Sequence, residues 1–245
     1  MRSLPLVLIL LTFGVGAAAG GLPRAEALYR AGDMREAATA ARTLGSADAY
    51  ALAAKASLVE AVYQAKDGER TSLLEQAISD AKEVLELDPK SVDARLQVAL
   101  ALGHLAEDDV VGAQMNGYVE EGRRLIDQAL ELAPDDPWAH GLLGMWHLQV
   151  VRHAGRALAG SLYGADPQTG LAQCEKALAM APRDLTIRFG CALSRLQADP
   201  DGVDWRALDQ LKLVEHMPAQ DAAESLVRAK AERVVREINE KRARD

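Results

Sequence analysis

The sequence predicts an all-α chain in which helix pairs stack side by side as a solenoid. Three observations predict it. A helix ending recurs: LELDP closes at Pro89, LELAP at Pro134, LAMAP at Pro182 and VEHMP at Pro218, spaced 45, 48 and 36 residues apart. The chain is rich in Ala and Leu while only 4% of it is aromatic, a balance that favours helix over strand. No run of four or more residues alternates apolar and polar between turn signals, so no strand is expected.

The N-terminus stands apart from this pattern. Arg2 supplies a positive charge, Leu4 to Val15 is apolar apart from Thr12, and Ala17-Ala18-Ala19 is a small-residue cleavage site. These are the three parts of a secretory signal peptide. Residues 1–19 are therefore expected to be a leader and 20–245 the helical repeat domain. The apolar run is short against the ~20 residues that cross a bilayer, which favours cleavage over the alternative, an uncleaved N-terminal membrane anchor. Gly14, Gly16 and Gly20 loosely suggest a dinucleotide fingerprint, but Gly20 stands one residue beyond the third position and no strand precedes them.

Two short helices follow between Leu22 and Leu44, meeting at Gly32-Asp33, and a longer one runs from Ala47 to Gln64 until Lys66-Asp67-Gly68 breaks it. Thr71 is expected to cap a helix ending at Leu87, with Leu74, Ala77, Ile78, Ala81 and Val84 on one stripe. Ser91 caps the next, to about Ala106; Asp108 to Gly117 is polar and glycine-containing, so it reads as a loop. A helix over Tyr118–Leu132 leads to Asp136-Pro137, an N-cap followed by a proline in the first turn. The helix opened there continues unusually far, through Val151 to Leu162, before Gly164-Ala165-Asp166-Pro167 turns the chain into a helix ending at Met180. A shorter pair, near 185–197 and 203–216, joins at Asp199-Pro200-Asp201-Gly202. Asp221 with Glu224 forms a capping box for a last helix whose apolar positions are Ala223, Val227, Ala231, Val234 and Ile238, suited to a terminal cap with one wet face.

Small residues stand at fixed offsets from these endings. Twelve before three of the prolines lie Ala77, Gly122 and Gly170; five before each lie Val84, Ala129, Ala177 and Leu213. Leu143-Gly144 sits in the first helix of a pair. With these features the chain resembles the tetratricopeptide repeat, a helix–turn–helix of about 34 residues. The resemblance implies a right-handed α-solenoid whose pairs touch at Ala77, Gly122, Ala129, Leu143, Gly144, Gly170 and Ala177. Arg206 occupies the small position before Pro218, so the last unit departs from the pattern. Gly122 to Pro182 also resembles the regulator of microtubule dynamics family, through Ala139-His140, Leu142-Leu143-Gly144-Met145-Trp146 and the Leu162-Tyr163-Gly164-Ala165-Asp166-Pro167 linker. That family is associated with microtubules and organelle membranes. An exported chain would meet no microtubule, so this part of the family's role is not expected here.

No catalytic set appears. The histidines are His104, His140, His147, His153 and His216. His140 and His147 are seven residues apart on one helix, roughly 10 Å along its axis, too far to share a metal. HExxH, CxxC and phosphate-loop patterns are absent. Glu107-Asp108-Asp109 has too few oxygen ligands for calcium. No metal or cofactor is implied. Trp138, His140, Trp146 and His147 are candidates for a partner or ligand groove. Cys174 and Cys191 fall on helices of adjacent units, and in an oxidising compartment they could pair. Helices in contact lie ~8–10 Å apart and a disulfide needs Cα atoms closer than about 7 Å, which leans toward two buried thiols and leaves the pairing open.

The formal charge of −8 argues against nonspecific binding to nucleic acid. The expectation is a periplasmic or secreted, non-catalytic scaffold for a protein or peptide partner. The alternative is a carrier of a lipid or small apolar ligand in the concave face.

Overall fold

The computed structural model describes residues 18–66, 68–199 and 204–244. The expected leader lies outside the described residues except for Ala18 and Ala19, which open the first helix; the turn at Asp199–Gly202 lies outside except for Asp199. Among the described residues there is no strand.

Among the described residues, five helix pairs follow one another. They are α1 (Ala18–Ala31) with α2 (Met34–Arg42), α3 (Ala47–Val59) with α4 (Arg70–Leu87), and α5 (Val92–Asp108) with α7 (Tyr118–Leu132), where α6 (Val110–Asn116) is inserted between the partners. Next come α8 (Pro137–Leu158) with α9 (Pro167–Met180), then α10 (Leu185–Ala198) with α11 (Trp205–His216), and finally α12 (Ala222–Arg242). Short π-helical segments, Glu60–Gln64 and Ala159–Tyr163, extend α3 and α8.

Local chemistry sets the boundaries. Ser46, Ser91, Asp136, Asp166, Asp184 and Asp221 each accept a hydrogen bond from the backbone N–H three residues on, which satisfies a donor the helix cannot. At the other ends, Asp88, Ala133 and Ala181 donate their N–H to the carbonyls of Val84, Ala129 and Ala177 at 2.7–2.9 Å, and the next residue is the proline that stops the helix. The fourth ending is out of phase. Met217 bonds Val214 instead, Leu213 is exposed, and the buried small residue of α11 is Ala207, one position beyond Arg206.

Several expectations are corrected. Glu69, not Thr71, precedes the helix of Leu74 and Ala77, and no side chain caps it. Residues 108–117 hold α6, because Asp109 caps it from Gly112 N–H at 2.9 Å and Gly117, at φ 67°, ends it. The long helix of Val151 is broken at Gly155, whose φ of 74° and ψ of 155° suit only a residue without Cβ. In α12 the fourth buried position is Val235, with Val234 only partly buried, and Glu224 accepts from Gln220 N–H while Asp221 caps Glu224.

The core runs as one seam across neighbours. Ala81, Val98, Leu102, Leu125, Ile126 and Leu142 join α4, α5, α7 and α8, and Leu148, Ala177, Ile187 and Cys191 carry the seam through α9 to α10. Arg42 on α2 grips buried Asp80 on α4 through both carboxylate oxygens at 2.9 Å and reaches Ser57 on α3 at 2.7 Å. The last helix does more than cap an end. Val227, Ala231 and Val235 pack on α10 and α11, while Ala222, Ala223 and Leu226 join the core of α1–α3. Thus α12 bridges the first and last pairs.

Candidate functional site

The fourth pair is drawn together by glycine. A Cβ on Gly144 of α8 would lie 2.8 Å from both Cys174 N and Gly170 O on α9; one on Gly170 would lie 2.9 Å from the His147 Cβ. The two backbones therefore cross almost in contact. Ala77, Gly122, Ala129, Leu143 and Ala177 are likewise buried.

Cys174 and Cys191 form a disulfide with Cα atoms 5.7 Å apart, joining α9 to α10. Of the two alternatives left open by the sequence, the structure has the bridge, against the spacing argument that leaned toward thiols. The 8–10 Å spacing is measured between axes, and each Cα stands ~2.3 Å off its axis, so facing Cα atoms come well within bridging range.

The histidines of α8 serve its joints. His140 is buried; its Nε2–H donates to the Pro134 carbonyl at 2.8 Å, and Nδ1 lies 2.7 Å from the Gln173 side-chain amide. It ties the end of α7 to α8 and α9. His147 is also buried, and its Nδ1 accepts the Asp166 backbone N–H at 3.0 Å, fixing the start of α9. Burial, helped by the nearby Arg123 cation, holds its pKa below the usual imidazole range. Trp138 packs between the two adjoining parts of the core. His104 Nδ1 lies 3.3 Å from the Arg70 guanidinium and 3.1 Å from the Glu107 carboxylate, while His153 and His216 are exposed.

Of Trp138, His140, Trp146 and His147, Trp146 borders an open cleft of about 440 Å³. Its indole N–H donates to the Val119 carbonyl at 2.9 Å, so the ring is held edge-in at the start of α7. One wall is a single face of α7, formed by Glu120, Arg123, Arg124, Asp127, Gln128 and Glu131. These positions recur at three and four residues, opposite buried Gly122, Leu125, Ile126 and Ala129. The other wall is Leu162 and Tyr163 of the π segment after the Gly155 break. Leu162 is 64% exposed.

Both cations of the cleft are held. Arg123 stacks 5.0 Å above the Trp146 ring and hydrogen-bonds both oxygens of Asp127 at 2.9 Å. Arg124 pairs with Glu121 at 2.6–2.7 Å, and those hydrogen bonds keep the Glu121 carboxyl below its usual pKa. The cleft thus offers apolar surface beside fixed charge, with no nucleophile–base pair. Among the described residues no His, Cys, Asp and Glu groups gather as a metal site, and no helix is long and apolar enough to cross a membrane. The α7 positions were not singled out in the sequence, although they form a polar face at helical spacing. Nor was Leu162, because its exposure depends on the break at Gly155.

The model of the family described as Regulator of microtubule dynamics protein 1-3 matches residues 24–239. The chain belongs to this family. As a regulator of microtubule dynamics family member it carries the matched region through all five helix pairs and most of α12. A thermophilic TPR protein of Thermus thermophilus, known from its crystal structure, is similar in fold, with a TM-score of 0.59 and 18% identity over 88% of this chain and 98% of that one. Curated proteins yield no match. The tetratricopeptide-like solenoid is thereby shown.

Proposed function

We propose that the chain is an exported, non-catalytic scaffold that holds a polypeptide partner along α7. The observation carrying this reading is the open cleft in which Trp146, Leu162 and Tyr163 face the charged side of α7. A slot with an aromatic floor and a charged rim suits a side chain anchored from a second polypeptide. Helical-repeat stacks commonly present extended binding surfaces, which supports the same class. Export is supported by the leader-like residues 1–19 and by the Cys174–Cys191 bridge, since disulfides persist in oxidising compartments. The family's description names microtubule dynamics; an exported member would act on another partner.

The test has two parts. N-terminal sequencing of the mature chain should begin after Ala19, and an intact Met1 would overturn cleavage and favour a chain anchored to a membrane by its N-terminal helix. Native mass spectrometry of the purified protein should show no lipid adduct and should show a polypeptide complex when partner is added. A stoichiometric copurified lipid would favour the carrier function instead.

A further inference from the structure

The α7 cleft carries more information about its occupant than its apolar floor alone. Asp127 is engaged by Arg123, and Glu121 is engaged by Arg124. Glu120 and Glu131, at the two ends of the same face, are exposed and make no ion pair among the described residues. Eleven residues separate them, about 16 Å along the helix axis. The two arginines of the cleft lining are paired with Asp127 and Glu121, one of them also stacked on the Trp146 ring. Along α7 the slot therefore presents two unpaired carboxylates on either side of internally paired charges, facing the apolar surface of Leu162, Tyr163 and Trp146.

Complementary charge at both ends and an apolar contact between them define a ligand class. We propose that the cleft binds a cationic segment of a partner protein, with a Lys or Arg near each end and one large aliphatic or aromatic side chain between them. An extended strand rises about 3.3 Å per residue, so two basic residues about five apart span the two carboxylates. The central side chain lies against Leu162, Tyr163 and Trp146. This assignment rests on the scaffold reading above and names its partner chemistry.

The test uses the full chain and a fluorescein-labelled hexapeptide with lysine at both ends and leucine third, read by fluorescence polarisation at low salt. A second peptide replaces both lysines with glutamate. Wild-type protein should bind the lysine peptide at least tenfold more tightly than the glutamate peptide. The E120Q/E131Q variant should lose most of that difference, while L162D should weaken both peptides. All substituted positions are exposed, and circular dichroism checks that each variant keeps its helices. Equal binding of the two peptides, or a preference unchanged in E120Q/E131Q, would overturn the charge assignment. If the lysine peptide fails while a cross-linker at position 162 still captures polypeptide, the cationic class falls and the scaffold reading survives. Capture of lipid alone would remove both.

Discussion

Gly144 to Ala is the sharpest perturbation of the stacked pairs, because its cost can be worked from positions. The new Cβ would stand 2.7 Å from Cys174 Sγ and 2.8 Å from both Cys174 N and Gly170 O. Two of those three atoms are backbone, and the third belongs to a cross-linked cysteine. None can swing aside as a flexible side-chain tip would. Overpacking of this kind costs roughly 1–3 kcal/mol, and the upper end applies where helices must move apart. Replacing glycine in a helix interior returns about 1 kcal/mol, so the net loss should be about 1–2 kcal/mol. Gly103 in α5 is the control, since a Cβ there meets nothing within 4 Å. Its alanine variant should gain up to about 1 kcal/mol. Thermal unfolding under oxidising conditions should lower Tm by about 2–8 °C for G144A and leave or raise it for G103A. Equal midpoints for the two variants would refute the close crossing of α8 and α9.

Three further outcomes follow from the same contacts. Reducing the Cys174–Cys191 bridge, which closes a 17-residue separation, should cost about 3 kcal/mol, measured as a drop in Tm on adding reductant that a C174A/C191A variant does not show. R42A would leave the buried Asp80 carboxylate without its cation, with only a long hydrogen bond from Gln76, and should destabilise the chain by about 3 kcal/mol in chemical denaturation. His147 has a folded pKa below its unfolded value of 6.5, so the unfolded chain binds more protons between the two. Its stabilising contribution is complete above pH 6.5 and is lost as pH falls through the folded value. Denaturation from about pH 7.5 to about pH 5 should therefore show wild type losing more stability than H147N, which keeps an acceptor for Asp166 N–H but cannot titrate.

Much of the stack was legible because prolines and caps act locally. Pro89, Pro134 and Pro182 end helices by lacking a donor, and Asp136-Pro137 and Asp166-Pro167 start them, whatever lies beyond. The same offsets misplace α11 by one residue: it too ends two residues before its proline, but Met217 N–H bonds Val214 and the buried small residue is Ala207 instead of Arg206. Features that depend on other parts of the chain were not legible. Gly155 could sit within a helix or break one, and its positive φ is decided by where the π segment must pack. Asp109 and Gly117 mark α6 only once the space between α5 and α7 is known. The return of α12 to α1 brings together Gly32 and Ala222, positions that no local pattern links. In the candidate site, Trp146 alone of the sequence candidates reached the cleft; the polar face of α7 and the opposing wall were not singled out, and His140 and His147 proved to be joints of the fold.

Photo-cross-linking from position 162, with a benzophenone amino acid in place of Leu162 and the chain expressed in its own exporting cell, addresses the scaffold reading most directly. The account predicts a defined adduct to a polypeptide, diminished when Glu120 and Glu131 are both changed to glutamine. An adduct to lipid alone, or none under conditions where the variant is folded and exported, would contradict it.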